Sequence, residues 1–363
     1  MSSAGARLNL DSFNGAAPIV EFAFWLGVAV AAMTLVMLTV TLAMRRIALR
    51  RERIHSAAVA LWKPIIIAAF SGTATRIPTL ADRERSGFIR VWNEVHESLR
   101  GGTTDNLARI AREVGLNQHL YRSLQSATLH DRVMAIIALG HVRSRESFNH
   151  VAQYLDDKSP IMSLCAARAL MQIDPVRAVP LFVPRIVARS DWSRGSIAAI
   201  LQESGDAIVS GVLTEATLQA SGEVAIRLLR FLAGVSPRSA APIIRNALGS
   251  PAEEQMISTC LQLMSNQTDL DCVRPLLSHP RWHIRMQAAT TLGRLGVPGD
   301  EQRLVEMLAD GQWWVRYRAA SGLLKLSFVG SERLRQIRQS QSDAYAQDII
   351  THVLAELTIG SAS

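Results

Sequence analysis

Apolar and polar positions along this chain fall into three regimes. From Ile19 to Met44 the sequence reads IVEFAFWLGVAVAAMTLVMLTVTLAM, 26 residues in which Glu21 is the single charge. Such a run is apolar on every face of a helix, whereas a surface helix of a soluble protein needs a polar side. A shorter apolar stretch, Ala57 to Phe70, is interrupted by Lys63-Pro64. Further on, leucines set a period: Leu139, Leu170, Leu201, Leu232 and Leu263 recur every 31 residues, and after a shortening of two the series resumes at Leu292 and Leu323. A second ladder, Leu155, Ile186, Leu218, Leu248, Leu277 and Leu308, trails the first by about 16 residues.

Segments rich in Ala and Leu surround the first ladder (VMAIIALG, LCAARALM, MQAATTLG, YRAASGLL), and segments such as PIIRNAL and RLVEML surround the second. Turn signals separate them at Asp156-Asp157, Ser190-Asp191, Ser221-Gly222, Ser250-Pro251, His279-Pro280 and Asp310-Gly311. The period predicts two short antiparallel helices per repeat. Each is too short to be stable alone, so the repeats must stack to bury their apolar faces. Strand-type alternation recurs nowhere, and the expected fold is all-α.

At 1.5 Å per residue the first apolar run spans about 39 Å, enough to cross a hydrocarbon core of roughly 30 Å with some tilt. Phe22, Phe24 and Trp25 sit toward one end, where interfacial aromatics belong. A cleaved signal peptide would need a basic lead and a core of roughly 7–15 residues ending in a small-x-small site. Here only Arg7 precedes the run, Asp11 offsets it, and the run ends in Met44-Arg45-Arg46. Arg45, Arg46, Arg50, Arg51 and Arg53 follow the span, so the positive-inside rule puts the long C-terminal part in the cytoplasm. Gly27 and Ala31 form a small-xxx-small pair of a kind common in Ala-rich spans. The stretch 57–70 is too short to span comfortably, and Pro64 should break its helical ladder. It is expected to form the first packed helices beside the membrane.

The expected organisation is a short extracytoplasmic tail (1–18), a transmembrane helix (19–44), a basic juxtamembrane segment (45–55), an N-terminal helical cap (56–129), a repeat array (130–329) and C-terminal capping helices with a tail (330–363). The location this implies is a membrane crossed once, with the N-terminus outside and the long C-terminal part in the cytoplasm.

Composition narrows the chemistry. Charged residues make up 19% of the chain, below the roughly 25% of soluble domains. Net charge is +8 and almost all arginine, since Lys63, Lys158 and Lys325 are the only lysines. The basic residues form a run only after the span, which disfavours a nucleic-acid role. Cys165, Cys260 and Cys272 have neither disulfide nor zinc spacing, and Cys165 and Cys260, which fall within apolar helical patterns, are expected as buried, reduced thiols. His279 and His283 are four apart but flank Pro280 and have no acidic or thiol ligand at a suitable offset, so no metal is expected. Gly101-Gly102 lacks the flanking pattern of a phosphate loop. Asp156-Asp157 reads as a cap for the following helix. Neither a catalytic residue nor a cofactor site emerges.

Asp310-Gly311-Gln312-Trp313-Trp314-Val315-Arg316-Tyr317-Arg318-Ala319-Ala320 resembles the short HEAT repeat of the phycobilisome-lyase type. The preceding copy keeps Trp282 and Arg285, 31 residues upstream. The resemblance covers about residues 104–329. It implies an all-α fold, a right-handed HEAT-repeat α-solenoid, here preceded by the one N-terminal transmembrane helix expected from the apolar run. In such repeats Asp and Arg form a ladder between neighbours. Arg132 and Arg194 share the register, whereas Ser163, Ala225 and Met256 occupy it elsewhere, so the middle of the array is expected to lack the ladder.

The whole arrangement, with Trp92-Asn93 ahead of the array, is also similar to bacterial membrane-anchored HEAT proteins. That likeness implies a scaffold for another protein, such as a membrane glycosyltransferase of an exopolysaccharide system. Lyase-type cofactor handling and DNA binding along a basic face are the alternatives it leaves open. The candidate partner surface is an aromatic–arginine stripe: Trp192 with Arg194, Trp282 with Arg285, and Trp313, Trp314, Arg316, Tyr317 and Arg318. Trp and Arg dominate binding hot spots, but the same positions also suit caps and locks between repeats. Trp313 and Trp314 project about 100° apart on a helix, so at least one is expected to be exposed.

Overall fold

A computed structural model describes residues 17–70, 77–98, 104–126 and 128–360. Most of the expected N-terminal tail and Gly101-Gly102 lie outside these residues, as do the side chains of Glu21 and Arg51. Every regular element among the described residues is helical. The chain forms two compact units, Met1–Ala138 and Leu139–Ser363.

The first unit begins with one helix, α1 (Ala17–Phe70), which includes the whole predicted span and runs without interruption through Pro64. Its segment Phe24–Ile47 is long and apolar enough to cross a membrane, and none of it is buried. The expected break at Pro64 does not occur. An interior proline costs about 3 kcal/mol, but Ala58, Trp62 and Ile66 form an i, i+4 stripe that is buried. Full burial of a large apolar side chain contributes roughly 1.5–3 kcal/mol, so Trp62 and Ile66 together offset the proline. The stripe packs on α2 (Arg85–Ser98), where Phe88 meets Trp62 edge-on at 4.8 Å and Trp92 stacks beyond it. Lys63 pairs with Glu94 of α2 at 2.6 Å, and Trp62 Nε1 donates to Glu84. Two further helices, α3 (Thr104–Val114) and α4 (Leu116–Leu124), lead to α5 (Leu129–Val142), which contains the division between the units.

The second unit is a stack of helix pairs. Its elements are α6 (Phe148–Ala152), α7 (Pro160–Ile173), α8 (Pro175–Ala188), α9 (Arg194–Ser204), α10 (Asp206–Gln219), α11 (Gly222–Val235), α12 (Pro237–Gly249) and α13 (Glu254–Leu263). After two 3₁₀ turns come α14 (Trp282–Leu295), α15 (Glu301–Glu306), α16 (Trp313–Lys325), α17 (Ser331–Ser340) and α18 (Ala344–Gly360). Prolines open several helices where no intrahelical donor is needed, as in α7, α8 and α12. The cap of α7 is Ser159, which accepts from Met162 N. The Asp156-Asp157 pair does not cap it: Asp157 accepts from Ser159 N, and Asp156 binds Arg185 of the next pair.

Burial corrects both leucine ladders at one position each. Leu261 is fully buried, whereas Leu263, the last residue of α13, is half-buried. Thr217 is 5% exposed, whereas Leu218 is 65% exposed. The buried first-helix series is therefore Leu139, Leu170, Leu201, Leu232, Leu261, Leu292 and Leu323, and the buried second-helix series is Leu155, Ile186, Thr217, Leu248, Leu277 and Leu308. Each second-helix position now trails its partner by 16, and both ladders shorten by two in the same repeat, the one containing α13.

Pairs are tied by arginines. Arg285 donates two bonds to Asp310, at 2.7 and 2.9 Å, and Arg274 does the same to the buried Asp300. Arg185 and Asp156 form another such fork. The expected gap in the middle is bridged by other arginines: Arg227 donates to the Val187 carbonyl, Arg230 to Thr259, and Arg245 to Asp269. Ala225 and Met256 vacate the usual register, and arginines elsewhere on α11 and α12 make the links.

Candidate functional site

The predicted Trp/Arg stripe divides into a buried part and an exposed part. Trp192 precedes α9 and is only 4% exposed. Its Nε1 donates to Ser163 Oγ at 2.9 Å, its ring lies against Phe182, and the Arg189 guanidinium sits over it. Ser163 holds the register position that Arg285 and Arg316 hold elsewhere, so an indole donor replaces the arginine lock there. Burial removes the Trp192 ring from any partner surface. Arg194 lies exposed at the first turn of α9.

The exposed part is built at the start of α16. Asp310 receives the Arg285 fork, and its Oδ1 also accepts from Gln312 N, while Arg316 donates to its carbonyl at 2.7 Å. Burial pushes the Asp310 carboxyl up, but the Arg285 and Gln312 hydrogen bonds and the charges of Arg285 and Arg316 outweigh that and hold it below the usual range. The loop before α16 is thereby fixed from three directions, which orients the next two residues.

Trp313 and Trp314 are 43% and 51% exposed and meet nearly perpendicular, with ring centroids 4.7 Å apart. Trp313 stacks on Tyr317 one turn later, at 5.2 Å and 7°. The Tyr317 hydroxyl donates to Glu356 of α18, whose other carboxylate oxygen pairs with His352 at 3.2 Å. The His352 ring lies within 6.4 Å of Trp313, and Arg318 sits over Tyr317. Arg316 lies over Tyr345, itself 69% exposed. Trp282, one repeat earlier, is 40% exposed beside His283, which pairs with Glu254. Among the described residues no His, Cys, Asp or Glu group has the arrangement to hold a metal.

α18 contributes three residues that sequence reasoning missed: Tyr345, His352 and Glu356. Their spacing of seven and four puts them on one helix face, a signal present in the sequence but without a partner until α16 and α18 are seen to pack. Near α1, the side chains of Arg45, Arg46, Arg50 and Arg53 are all exposed.

Residues 119–202 and 250–324 match the family described as HEAT repeats. No curated protein matches the chain. Among solved structures, Kap121p shares 12% identity at a TM-score of 0.46, over 81% of this chain and 41% of its own, so this chain spans about two fifths of that protein. Human deoxyhypusine hydroxylase in complex with glycerol shares 16% at a TM-score of 0.28, covering 68% of this chain and 98% of its own. YibA of E. coli shares 14% at 0.34, covering 70% and 98%.

Proposed function

This chain is a HEAT-repeat protein, and from that premise we propose that it is a membrane-tethered scaffold whose repeat stack binds another protein. The observation that carries the reading is α1. A fully unburied apolar segment, Phe24–Ile47, and the buried stripe Ala58–Trp62–Ile66 belong to one uninterrupted helix. Cleavage after the apolar segment would cut a continuous helix whose far end is part of the core. A span in the bilayer, with Arg45 to Arg53 on its cytoplasmic side, explains both halves.

Tethering confines encounters to the membrane surface and raises effective concentration without adding contacts. The partner surface is the exposed Trp282, Trp313 and Trp314 with the half-buried Tyr317 and Arg318 beside them, Arg285 and Arg316 holding it in place and Arg194 at a separate exposed position. Rigid, half-exposed aromatics beside arginine are the chemistry of binding hot spots. The partner class is the cytoplasmic domain of a membrane enzyme, and a glycosyltransferase of an exopolysaccharide system is the specific candidate.

The test is capture of partners by the full chain in mild detergent, compared with W313A/W314A. Both side chains are exposed, so thermal stability should hold while a membrane-enzyme partner is lost. A parallel measurement uses the chain from residue 56 onward, which keeps Ala58, Trp62 and Ile66. It should be soluble, whereas the full chain should resist alkaline extraction from membranes. Unchanged capture by the double variant, or release of the full chain by alkali, would overturn the reading.

A further inference from the structure

Of the five arginines after the span, three share one side of α1, and the helical positions of Arg45 and Arg51 fall outside it. Successive helical residues turn by about 100°, which puts Arg46, Arg50 and Arg53 within an arc of about 60°. The packing stripe Ala58–Trp62–Ile66 is centred about 150° from that arc, so the three arginines stand on the side of α1 opposite the stripe that packs into the first unit. None of the three forms an ion pair among the described residues, although arginines elsewhere in the chain are forked onto carboxylates. The one neighbouring carboxylate, Glu52, lies about 100° or more from the arc.

Height along the helix matters as much as direction. The apolar segment ends at Ile47. Arg46 is level with that end, and Arg53 lies about 10 Å further along at 1.5 Å per residue. A headgroup layer is about 5–8 Å deep on each side of the hydrocarbon core, so Arg46 and Arg50 fall within it and Arg53 at its outer rim. Ala58, the first buried residue, is about 16 Å past Ile47, which keeps the core of the first unit clear of the layer and leaves the arc uncovered.

We propose that Arg46, Arg50 and Arg53 form a one-sided binding stripe for the phosphates of anionic phospholipids, so that α1 selects its lipid neighbours on the face opposite its own packing stripe. This rests on the membrane-tethered reading. It goes beyond a topology signal, because positive charge that only sets orientation needs no particular side of the helix. Arginine suits the role through its planar fork of donors, which matches phosphate oxygens. Each arginine close to an anionic surface favours binding by about fivefold.

The experiment reconstitutes the full-length protein in phosphatidylcholine vesicles with trace spin-labelled phosphatidylglycerol or spin-labelled phosphatidylcholine. The motionally restricted signal gives the relative association of the two lipids with the protein. The wild type should prefer the anionic lipid by about fivefold or more, R46Q/R50Q/R53Q should lose most of that preference although Arg45 and Arg51 remain, and R46K/R50K/R53K should retain most of it. R50Q alone should give an intermediate value, and helical content by circular dichroism should be the same throughout. A triple Gln variant that keeps the wild-type preference overturns the stripe. So does an R45Q variant, altered outside the arc, that loses the preference as fully as the triple. Release of the wild type by alkaline extraction, with no restricted signal for either lipid, overturns the tether and the stripe together, which separates the two failures.

Discussion

The cost of losing a side chain in this stack depends on which of two neighbouring leucines is removed. Leu261 is fully buried in line with Leu292 and Leu323, whereas Leu263 ends α13 half-buried. Truncating a buried leucine costs about 2–5 kcal/mol, the lost transfer energy plus the cavity left behind. Leu261→Ala should therefore lower the urea midpoint markedly, and Leu263→Ala by less than half as much; the reverse order would restore the uncorrected register. The 31-residue period itself was legible, because most seam positions are leucine. The choice within Leu261/Leu263 was not, since chemistry cannot separate two leucines two residues apart. At 217 and 218 chemistry pointed the wrong way: leucine is the more apolar, yet Thr217 is buried because its hydroxyl donates to the Leu213 carbonyl at 2.6 Å and leaves no polar atom unpaired. The decisive signal was the constant offset of 16 between the ladders, which outranks the identity of any one residue.

Between elements, the closest constraint lies where α14 crosses α16. A Cβ added at Gly293 would stand 2.3 Å from the Gly322 Cα, and one at Gly322 would stand 3.2 Å from the Ala289 carbonyl oxygen. The two backbones touch, with no flexible side chain between them to yield. Gly293→Ala should destabilise the second unit by about 1–3 kcal/mol, the usual cost of overpacking, despite the better helix propensity of alanine. Gly322→Ala should cost less. Equal melting temperatures for wild type and Gly293→Ala would mean that the helices separate freely. Element identity was readable from periodicity, but joints of this kind were not. The same holds for α1, whose two segments looked separate because Pro64 is a local signal while the Trp62–Phe88 contact that overrides it is tertiary. It holds too for the aromatic cluster. Trp313 and Trp314 announce themselves by rarity, whereas Glu356 reaches Tyr317 across 39 residues, and nothing local marks that pairing.

At the scale of the whole molecule, the two units carry different acid-sensitive groups, so acid should act on them at different pH. In the second unit Asp156, Asp300 and Asp310 all titrate below the ordinary 3.8. For Asp300, burial raises the carboxyl, but the Arg274 fork, the Val297 N–H and the Arg274 and Arg303 charges outweigh it. A carboxyl depressed by folding gives stability that is present above its unfolded value and lost as pH falls through the folded one. The second unit should hold to about pH 4 and weaken below it. In the first unit His119 is depressed from 6.5, chiefly by burial, with the Arg85 and Arg122 charges adding to it against the opposing pull of Asp82. The unfolded chain then takes up the proton first, so this unit should begin to lose stability as pH falls through about 6.5, shallowly, because one group is involved. Hydrogen exchange read by mass spectrometry at pH 7, 5.5 and 3.5, corrected for intrinsic rates, resolves the units. Protection in α2 and α4 should decline first, and protection in α14 and α16 only at the lowest pH. D300N/D310N should be weaker than wild type at pH 7, since two arginine forks lose their anionic partners, yet less sensitive to acid. If the variant loses protection in α14 and α16 below pH 4 as steeply as the wild type, the arginine–carboxylate ties are not what holds the repeat pairs together in acid.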